Sequence, residues 1–172
     1  MKMLAINPIS FKKRMMEFLF DYLFILAYLV LLFLGSMLFY IIFFNGIPEF
    51  TEIQSQCLAF FTSVLPITLL FTFLDYTNNG SFGKAKAGLQ LVYKKKTVQA
   101  SLIRNTIKFL PWQIGHMGTI HGFYSDFDFL SVILSFLATL LAVALLAMKV
   151  FRKDKRHLGD LIAHTQVQLK GD

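Results

Sequence analysis

Three ionisable residues near the start of the chain, Arg14, Glu17 and Asp21, are spaced so that they share one face of a helix. Asp21 lies within the apolar stretch that follows three cations, where a carboxylate is costly unless a cation or a ligand pairs with it. Such a carboxylate could carry a proton or bind a cation, with Arg14 or Arg104 as its counter-charge. The same residues could instead form an ion network among lipid headgroups. The spacing leaves both interpretations open.

Three charged residues elsewhere in the chain are further candidates for a ligand or proton site. Asp75 ends the second apolar segment, where we expect water to reach it and its role to be structural. Arg104 lies at the start of a segment of mixed polarity. Asp160 follows the last apolar segment, and we expect it to cap a short helix or to pair with Arg104 or Lys84.

The sequence holds no arrangement typical of an enzyme, a cofactor site or a metal site. The stretch "NGSFGKA" has Asn78 and Ala85 where a phosphate-binding loop needs Gly and Ser or Thr. His116 and His121 are five residues apart and therefore lie on different faces of a helix. Cys57 is the single cysteine, which excludes an internal disulfide. We therefore expect no catalytic residue, no cofactor and no metal.

The composition is that of an integral membrane protein. Of the 172 residues, 56% are hydrophobic and 16% are charged, whereas soluble domains have about 25% charged residues. The apolar residues form blocks of roughly 20 residues or more, which is the length that crosses a bilayer as a helix. The net charge of +7 is then explained by the orientation of the chain in a membrane. We expect no nucleic-acid partner.

These blocks predict an all-α membrane protein, a bundle of four transmembrane helices at about residues 18–44, 57–76, 104–124 and 129–148, with a cytoplasmic loop at 77–103. The chain, residues 1–172, is expected to form one such domain. The third segment contains Arg104, Lys108 and Pro111, so we expect it to be a short helix interrupted by Pro and Gly, or a re-entrant or surface segment. Arg104 and Lys108 are expected to reach the cytoplasmic interface.

The positive charges predict the orientation of the chain. Lys2, Lys12, Lys13 and Arg14 precede the first helix, and a second group of cations follows the last one. The positive-inside rule therefore places both termini in the cytoplasm, which requires an even number of crossings. With four crossings, all 17 Lys and Arg face the cytoplasm, and the external loops have only acidic charges.

The loop between the second and third helices contains an alternating run, Leu89–Tyr93, which predicts a short strand or hairpin at the membrane surface. Lys94, Lys95 and Lys96 follow it, and such a cluster suits anionic lipid headgroups. The expected partners are the lipid bilayer, its anionic headgroups at the cytoplasmic face, and either another membrane protein or further copies of this chain.

Four stretches resemble the RDD family of small bacterial membrane proteins, named for an arginine and two aspartates. The stretch "RMMEFLFD" resembles the family's opening pattern of Arg followed seven residues later by Asp. The stretch "SFGKAKAGLQLV" resembles its Thr-x-Gly-Lys segment, "SLIRNTIKFLP" its Arg-bearing segment, and "RKDKRHLGDLIAHTQV" its C-terminal pattern. The resemblance extends over nearly the whole chain.

Residue by residue, the resemblance covers a set of polar and glycine positions. These are Arg14, Asp21, Ser81 in place of Thr, Gly83, Lys84, Gly88, Arg104, Asp160 and Thr165. Glu17 stands where a small residue is usual, Asn79 where Gly is common, and His164 where Gly usually precedes Thr. Glu17 adds a second carboxylate beside Asp21, so the partner of Asp21 stays open.

The resemblance implies a multi-pass protein of the bacterial cytoplasmic membrane, with transport as the role commonly suggested. We expect a transporter or a transport accessory that exchanges a cation for a proton at an Arg/Asp site within the membrane. The alternative is a non-transporting interaction, assembly or immunity-type protein, since four helices form a thin bundle. Lipid handling is a third interpretation. In each case, Ser81, Gly83, Lys84 and Gly88 form a loop motif.

Overall fold

The computed structural model describes residues 3–171, so that Lys2 of the N-terminal cations lies outside it. Within this range the chain forms seven α-helices and two strands. They are α1 (Phe11–Phe44), α2 (Glu52–Ala59), α3 (Leu65–Thr77), α4 (Phe82–Lys86), β1 (Leu89–Tyr93), α5 (Val98–Tyr124), α6 (Phe129–Phe151), α7 (Leu158–Ile162) and β2 (Thr165–Leu169). A π-helical turn, Phe60–Val64, joins α2 and α3 into one continuous helix.

Helix α1 is polar where it is buried and apolar where it is exposed. Ser10 caps its first turn, and Asn45 ends it in the left-handed conformation with a φ of 56°. Its buried residues are Arg14, Glu17 and Asp21, while most of its leucines and phenylalanines are exposed. In membrane proteins, charged residues face the interior of the bundle. The pattern of α1 is therefore that of a helix surrounded by hydrocarbon.

Three helices in the described part of the chain are long and apolar enough to cross a membrane. They are α1, the continuous helix Glu52–Thr77, and α6. Helix α5 is outside this group and has Arg104 and Lys108 in its first half. It packs against α3, α6 and α7, and so occupies the centre of the molecule. The protein is thus a mostly helical membrane-type protein whose central helix carries buried charge.

Helix α5 differs from the expected short and interrupted segment that starts near residue 104. It starts at Val98 and continues for 27 residues through Pro111. A proline removes one backbone hydrogen bond from a helix, and the packing of α5 against its neighbours compensates for this loss. A Cβ at Gly118 would lie 3.0 Å from the Ser135 backbone nitrogen on α6. This glycine therefore allows close contact between helices rather than breaking α5.

Strands β1 and β2 form an antiparallel pair in which Leu89 lies opposite Leu169 and Tyr93 lies opposite Thr165. A small apolar core packs around this pair. Its buried members are Ile9, Ala87, Leu89, Leu91 and Val167. The strand at Leu89–Tyr93 agrees with the prediction, but its partner is the C-terminal segment rather than the second strand of a local hairpin. The fold is otherwise helical, as the predicted all-α class implies.

Replacement of Gly118 by Ala should destabilise the protein by about 1–3 kcal/mol, because the added Cβ would overpack the contact of α5 with α6. The matched control is Gly35→Ala in α1, where a Cβ would meet nothing within 4 Å. Ala at that position should stabilise the helix by up to about 1 kcal/mol. Thermal unfolding in detergent measures both effects, and equal midpoints for the two variants would contradict this packing.

Candidate functional site

Six buried side chains form a continuous line of ion pairs in which positive and negative charges alternate. In order of contact they are Arg14, Glu17, Lys84, Asp75, Arg104 and Asp160. The successive nitrogen-to-oxygen distances are 2.7, 3.7, 3.1, 2.5 and 2.6 Å. Each of these side chains is at most 1% exposed. We call this set the charge network.

Asp75 lies at the centre of the charge network. Its Oδ1 accepts a hydrogen bond from Lys84 Nζ at 3.1 Å, and its Oδ2 accepts from Arg104 Nη1 at 2.5 Å and from Asn105 Nδ2 at 3.0 Å. The expectation that water reaches Asp75 is wrong, since its side chain is fully buried. The end of α3 is covered by neighbouring elements, and Tyr93 on β1 donates a hydrogen bond to the Asp75 backbone carbonyl at 2.8 Å.

Asp160 joins α5 to α7 and β2. Its Oδ1 accepts from Arg104 Nε at 2.6 Å and from Thr165 Oγ1 at 2.9 Å. Its Oδ2 accepts from the His157 backbone N–H at 3.3 Å, which caps α7. The structure thus shows both the helix cap and an ion pair, with Arg104 rather than Lys84 as the partner. Arg104 is fully buried, so the expectation that it reaches the cytoplasmic interface is wrong.

The surroundings of Asp160 keep it ionised. Burial alone raises the pKa of this carboxyl, but the Arg104 guanidinium that binds it lowers its pKa well below the usual range. His157 itself is neutral, because burial lowers its pKa well below the ordinary value. Its Nδ1 accepts a hydrogen bond from the Gly159 N–H at 3.0 Å. The ring proton therefore lies on Nε2, which is 3.2 Å from Asp160 Oδ2.

Asp21 lies next to the charge network and has donors of its own. The Ser81 hydroxyl donates to its Oδ2 at 2.9 Å, and the Gly83 backbone N–H donates to its Oδ1 at 3.0 Å. Lys108 Nζ lies 3.2 Å from Oδ2. The Ser81 oxygen also accepts a hydrogen bond from Lys84 Nζ at 3.1 Å, which connects Asp21 to the charge network.

The counter-charge of Asp21 is Lys108, so the expectation of Arg14 or Arg104 is wrong. Glu17 lies one turn from Arg14 on the same helix and binds it at 2.7 Å. Arg104 binds two other carboxylates, at 2.5 and 2.6 Å. Lys108 follows Arg104 by one helical turn and therefore points to the same interior face. It is buried there instead of reaching the cytoplasmic interface.

The loop motif places α4 directly on α1. Ser81 caps α4 and Lys84 enters the charge network. A Cβ at Gly83 would lie 2.2 Å from a backbone oxygen of α1 and 2.6 Å from the Asp21 carboxylate, so a larger residue does not fit. Gly88 has a φ of 66°, a conformation that favours glycine, and turns the chain into β1.

Among the buried ion pairs, Asp21 with Lys108 is the most accessible. The side chains are 7% and 13% exposed, compared with at most 1% in the charge network. Lys108 also borders a cavity of about 450 Å³ between α1, α5 and α6. Its ammonium lies 4.1 Å from the centre of the Phe71 ring, a cation–π distance. A ligand in the cavity would therefore meet Lys108 before it met the charge network.

Three polar residues of this region are absent from the predicted site: Lys108, Lys149 and His157. The spacing of four residues between Arg104 and Lys108 could have indicated that the two share a face. Lys149 lies in the last turn of α6 and is buried, as is His157. Their burial depends on how α6 and α7 pack, which local sequence does not indicate.

The two histidines of α5 lie apart from this site and from each other. His121 lies between Glu52 and Asp128, with ring nitrogens 2.8 and 3.4 Å from the two carboxylates. His116 lies 3.5 Å from the Ser63 hydroxyl. Across residues 3–171, no cluster of three or more His, Cys, Asp or Glu side chains is arranged to hold a metal ion.

Comparison with known families gives one match. Residues 9–164 match the model of the RDD family, which covers most of the chain and includes every residue of the charge network and Asp21. A search of the curated proteins gave no match, and neither did a search of the solved structures.

Replacement of Arg104 by Gln should destabilise the protein by about 3–5 kcal/mol, because two buried carboxylates lose their cation. Asp160→Asn should also destabilise. In the double variant the free energy of unfolding should fall by less than the sum of the two single decreases, with a difference of at least about 1 kcal/mol. Unfolding by titration with a denaturing detergent measures all three.

The matched control for this cycle is Asp154→Asn, which removes a partly exposed pair with Arg152. Its cost should stay below about 1 kcal/mol. Strictly additive losses for the Arg104 and Asp160 variants would contradict a direct energetic link between the two residues.

Proposed function

The chain belongs to the RDD family, and on that premise we propose that it exchanges a monovalent cation for a proton across a membrane, alone or as the accessory of a larger transporter. The exchange site in this proposal is Asp21 together with Lys108. The charge network holds the helices that present these two residues.

The observation that carries the proposal is the partial exposure of this one ion pair. A residue that exchanges ligands must be reached by them. Asp21 and Lys108 are 7% and 13% exposed, and Lys108 also lines the cavity. An ammonium and a monovalent metal ion have the same charge, so the two compete for the Asp21 carboxylate. The Asp21 carboxylate and the Ser81 hydroxyl offer the oxygen ligands that hard cations prefer.

The exchange follows from this competition. When a cation binds the Asp21 carboxylate, Lys108 loses the negative charge that stabilises its ammonium form, and its proton leaves to water. When the proton returns, the ammonium displaces the cation. One positive charge replaces another, so the net charge of the site stays constant in both states.

The charge network supports the proposal by being balanced without this pair. Its three carboxylates, Glu17, Asp75 and Asp160, match its three cations, Arg14, Lys84 and Arg104. Breaking a buried pair by removing one partner costs about 3–5 kcal/mol. The network therefore acts as the fixed frame of the site.

A row of buried hydroxyls along the second apolar helix gives further support. Ser63, Thr68 and Thr72 are buried in the part of this helix that leads to Asp75. Each hydroxyl donates to the backbone carbonyl four residues earlier, which leaves its lone pairs free to accept. Such a face could coordinate an ion on its way through. Ser63 also lies in the π-helical turn, a feature often found at functional sites.

The topology within this proposal has four crossings, with both termini in the cytoplasm of a bacterial cell. Helix α5 is the third crossing along the chain, in addition to the three apolar helices. Its 27 residues extend about 40 Å, which exceeds the roughly 30 Å of bilayer hydrocarbon. The placement of Lys and Arg in the sequence supports this orientation.

The purified protein in liposomes that enclose a pH-sensitive dye tests the exchange. Adding Na⁺, K⁺ or Li⁺ outside should drive proton movement with the wild-type chain. Asp21→Asn should abolish this proton movement, because the carboxylate that binds the cation is gone. Lys108→Gln should abolish it as well, because the group that releases the proton is gone. Asp154→Asn, a change at an exposed pair, should leave the rate within about two-fold of wild type.

Proton movement that no cation drives, or normal exchange by Asp21→Asn, would rule out the exchange proposal. The alternative role, a non-transporting interaction or assembly protein, is favoured by the outer part of α1. No residue from 22 to 44 is buried, so this part of the helix has a long apolar surface available to a partner or a second copy. A stoichiometric partner that co-purifies from the native membrane and needs the loop Gly83–Gly88 would support this alternative.

A further inference from the structure

The cavity between α1, α5 and α6 combines an apolar wall with buried cations. Its volume is about 450 Å³. The apolar part of the wall includes Phe109, Trp112, Leu145 and Leu146. The polar part consists of Lys108, Lys149, His157 and Thr139. The cavity wall therefore has a polar, cationic part and an apolar part.

Lys149 is the unusual group in this cavity. It is only 4% exposed, and within residues 3–171 its ammonium has no hydrogen bond and no ion pair. Its ammonium lies 4.7 Å from the centre of the Phe18 ring, a cation–π distance. Buried ammonium groups are normally paired with an anion. An unpaired cation at the wall of a cavity indicates that the cavity accepts a negative group.

The carboxylates around Lys149 are already paired with other cations. Glu17, the carboxylate that acts most strongly on Lys149, is bound by Arg14 at 2.7 Å. Asp21 is bound by Lys108 at 3.2 Å, and Asp160 is bound by Arg104 at 2.6 Å. Lys149 is therefore the cation that the buried carboxylates leave uncompensated. An anion that entered the cavity would pair with it directly.

We propose that this cavity binds one anionic phospholipid, with the headgroup phosphate at Lys149 and an acyl chain along Trp112. A free phosphate ion would match the cation but would leave the apolar wall without a partner. A phospholipid matches both parts. Lys149 lies in the last turn of α6, and Phe18 lies two turns into α1. These helix ends are the ones assigned to the cytoplasmic side, where headgroups meet hydrocarbon.

The site is distinct from the surface lysines of the loop. Lys94, Lys95 and Lys96 are exposed and have no part in the cavity wall. A surface cluster of that kind attracts many anionic lipids loosely and is screened by salt. The cavity instead holds one molecule through one buried cation and a fitted apolar wall.

The single tryptophan makes the proposal testable. Trp112 is the only tryptophan in the chain and lines the cavity. Bromine atoms on an acyl chain quench tryptophan fluorescence at short range. In detergent micelles at moderate salt, brominated phosphatidylglycerol should quench Trp112 at about a five-fold lower mole fraction than brominated phosphatidylcholine does.

Substitution of Lys149 by Gln should remove this preference, so that both lipids quench at similar mole fractions. Lys149→Arg should retain the preference, because it preserves the positive charge. The matched control is Lys153→Gln, an exposed lysine four residues later near the same end of α6, which should behave like wild type. The readout does not depend on ion exchange, so this test and the transport assay can fail independently.

Equal quenching by the two lipids in the wild-type protein would overturn the proposal, as would a preference that survives Lys149→Gln. Addition of inorganic phosphate should not reverse the quenching. Reversal by phosphate would mean that the cavity takes a water-borne anion instead of a lipid. The thermal unfolding midpoint of Lys149→Gln should be no lower than that of wild type, because the change removes an unpaired buried charge.

Discussion

The position of Arg104 between two carboxylates is the interaction on which the rest of the structure depends. Its guanidinium binds Asp75 on α3 and Asp160 on α7, at 2.5 and 2.6 Å. Through Asp75 it reaches Lys84, and through Lys84 it reaches Glu17 on α1. One buried cation therefore links segments that are far apart in the sequence. In a membrane, where apolar burial does not distinguish one helix partner from another, such pairs select the arrangement.

A buried network of this kind is stable only when it is complete. Each charge loses its hydration, and the loss is offset only by a partner at short distance. The loop motif makes this possible, because Gly83 lets α4 approach α1 closely enough for Lys84 to meet Glu17 and Asp75. The same approach places the Gly83 N–H on Asp21. Gly83 is thus required both by the charge network and by the proposed exchange site at Asp21.

Local patterns in the sequence predicted the three apolar helices, the shared face of Arg14, Glu17 and Asp21, and a strand or hairpin at Leu89–Tyr93. They also gave Arg104 as one of two candidate partners of Asp160. They did not predict the pairing of β1 with β2, since a strand from the middle of the chain and one from its C-terminal segment meet only after the helices pack. For the same reason the partner of Asp21 was missed. Its identity depends on which face of α5 meets α1, and periodicity within α5 does not contain that information.

The most direct test of this account is proton release on cation binding in the detergent-solubilised protein, since no membrane gradient is then involved. Adding Na⁺, K⁺ or Li⁺ to the protein in weakly buffered solution should release about one proton per chain as the cation replaces the Lys108 ammonium at Asp21. Asp21→Asn should release none. A wild-type protein that binds a cation without proton release, or an equal release from Asp21→Asn, would contradict the account.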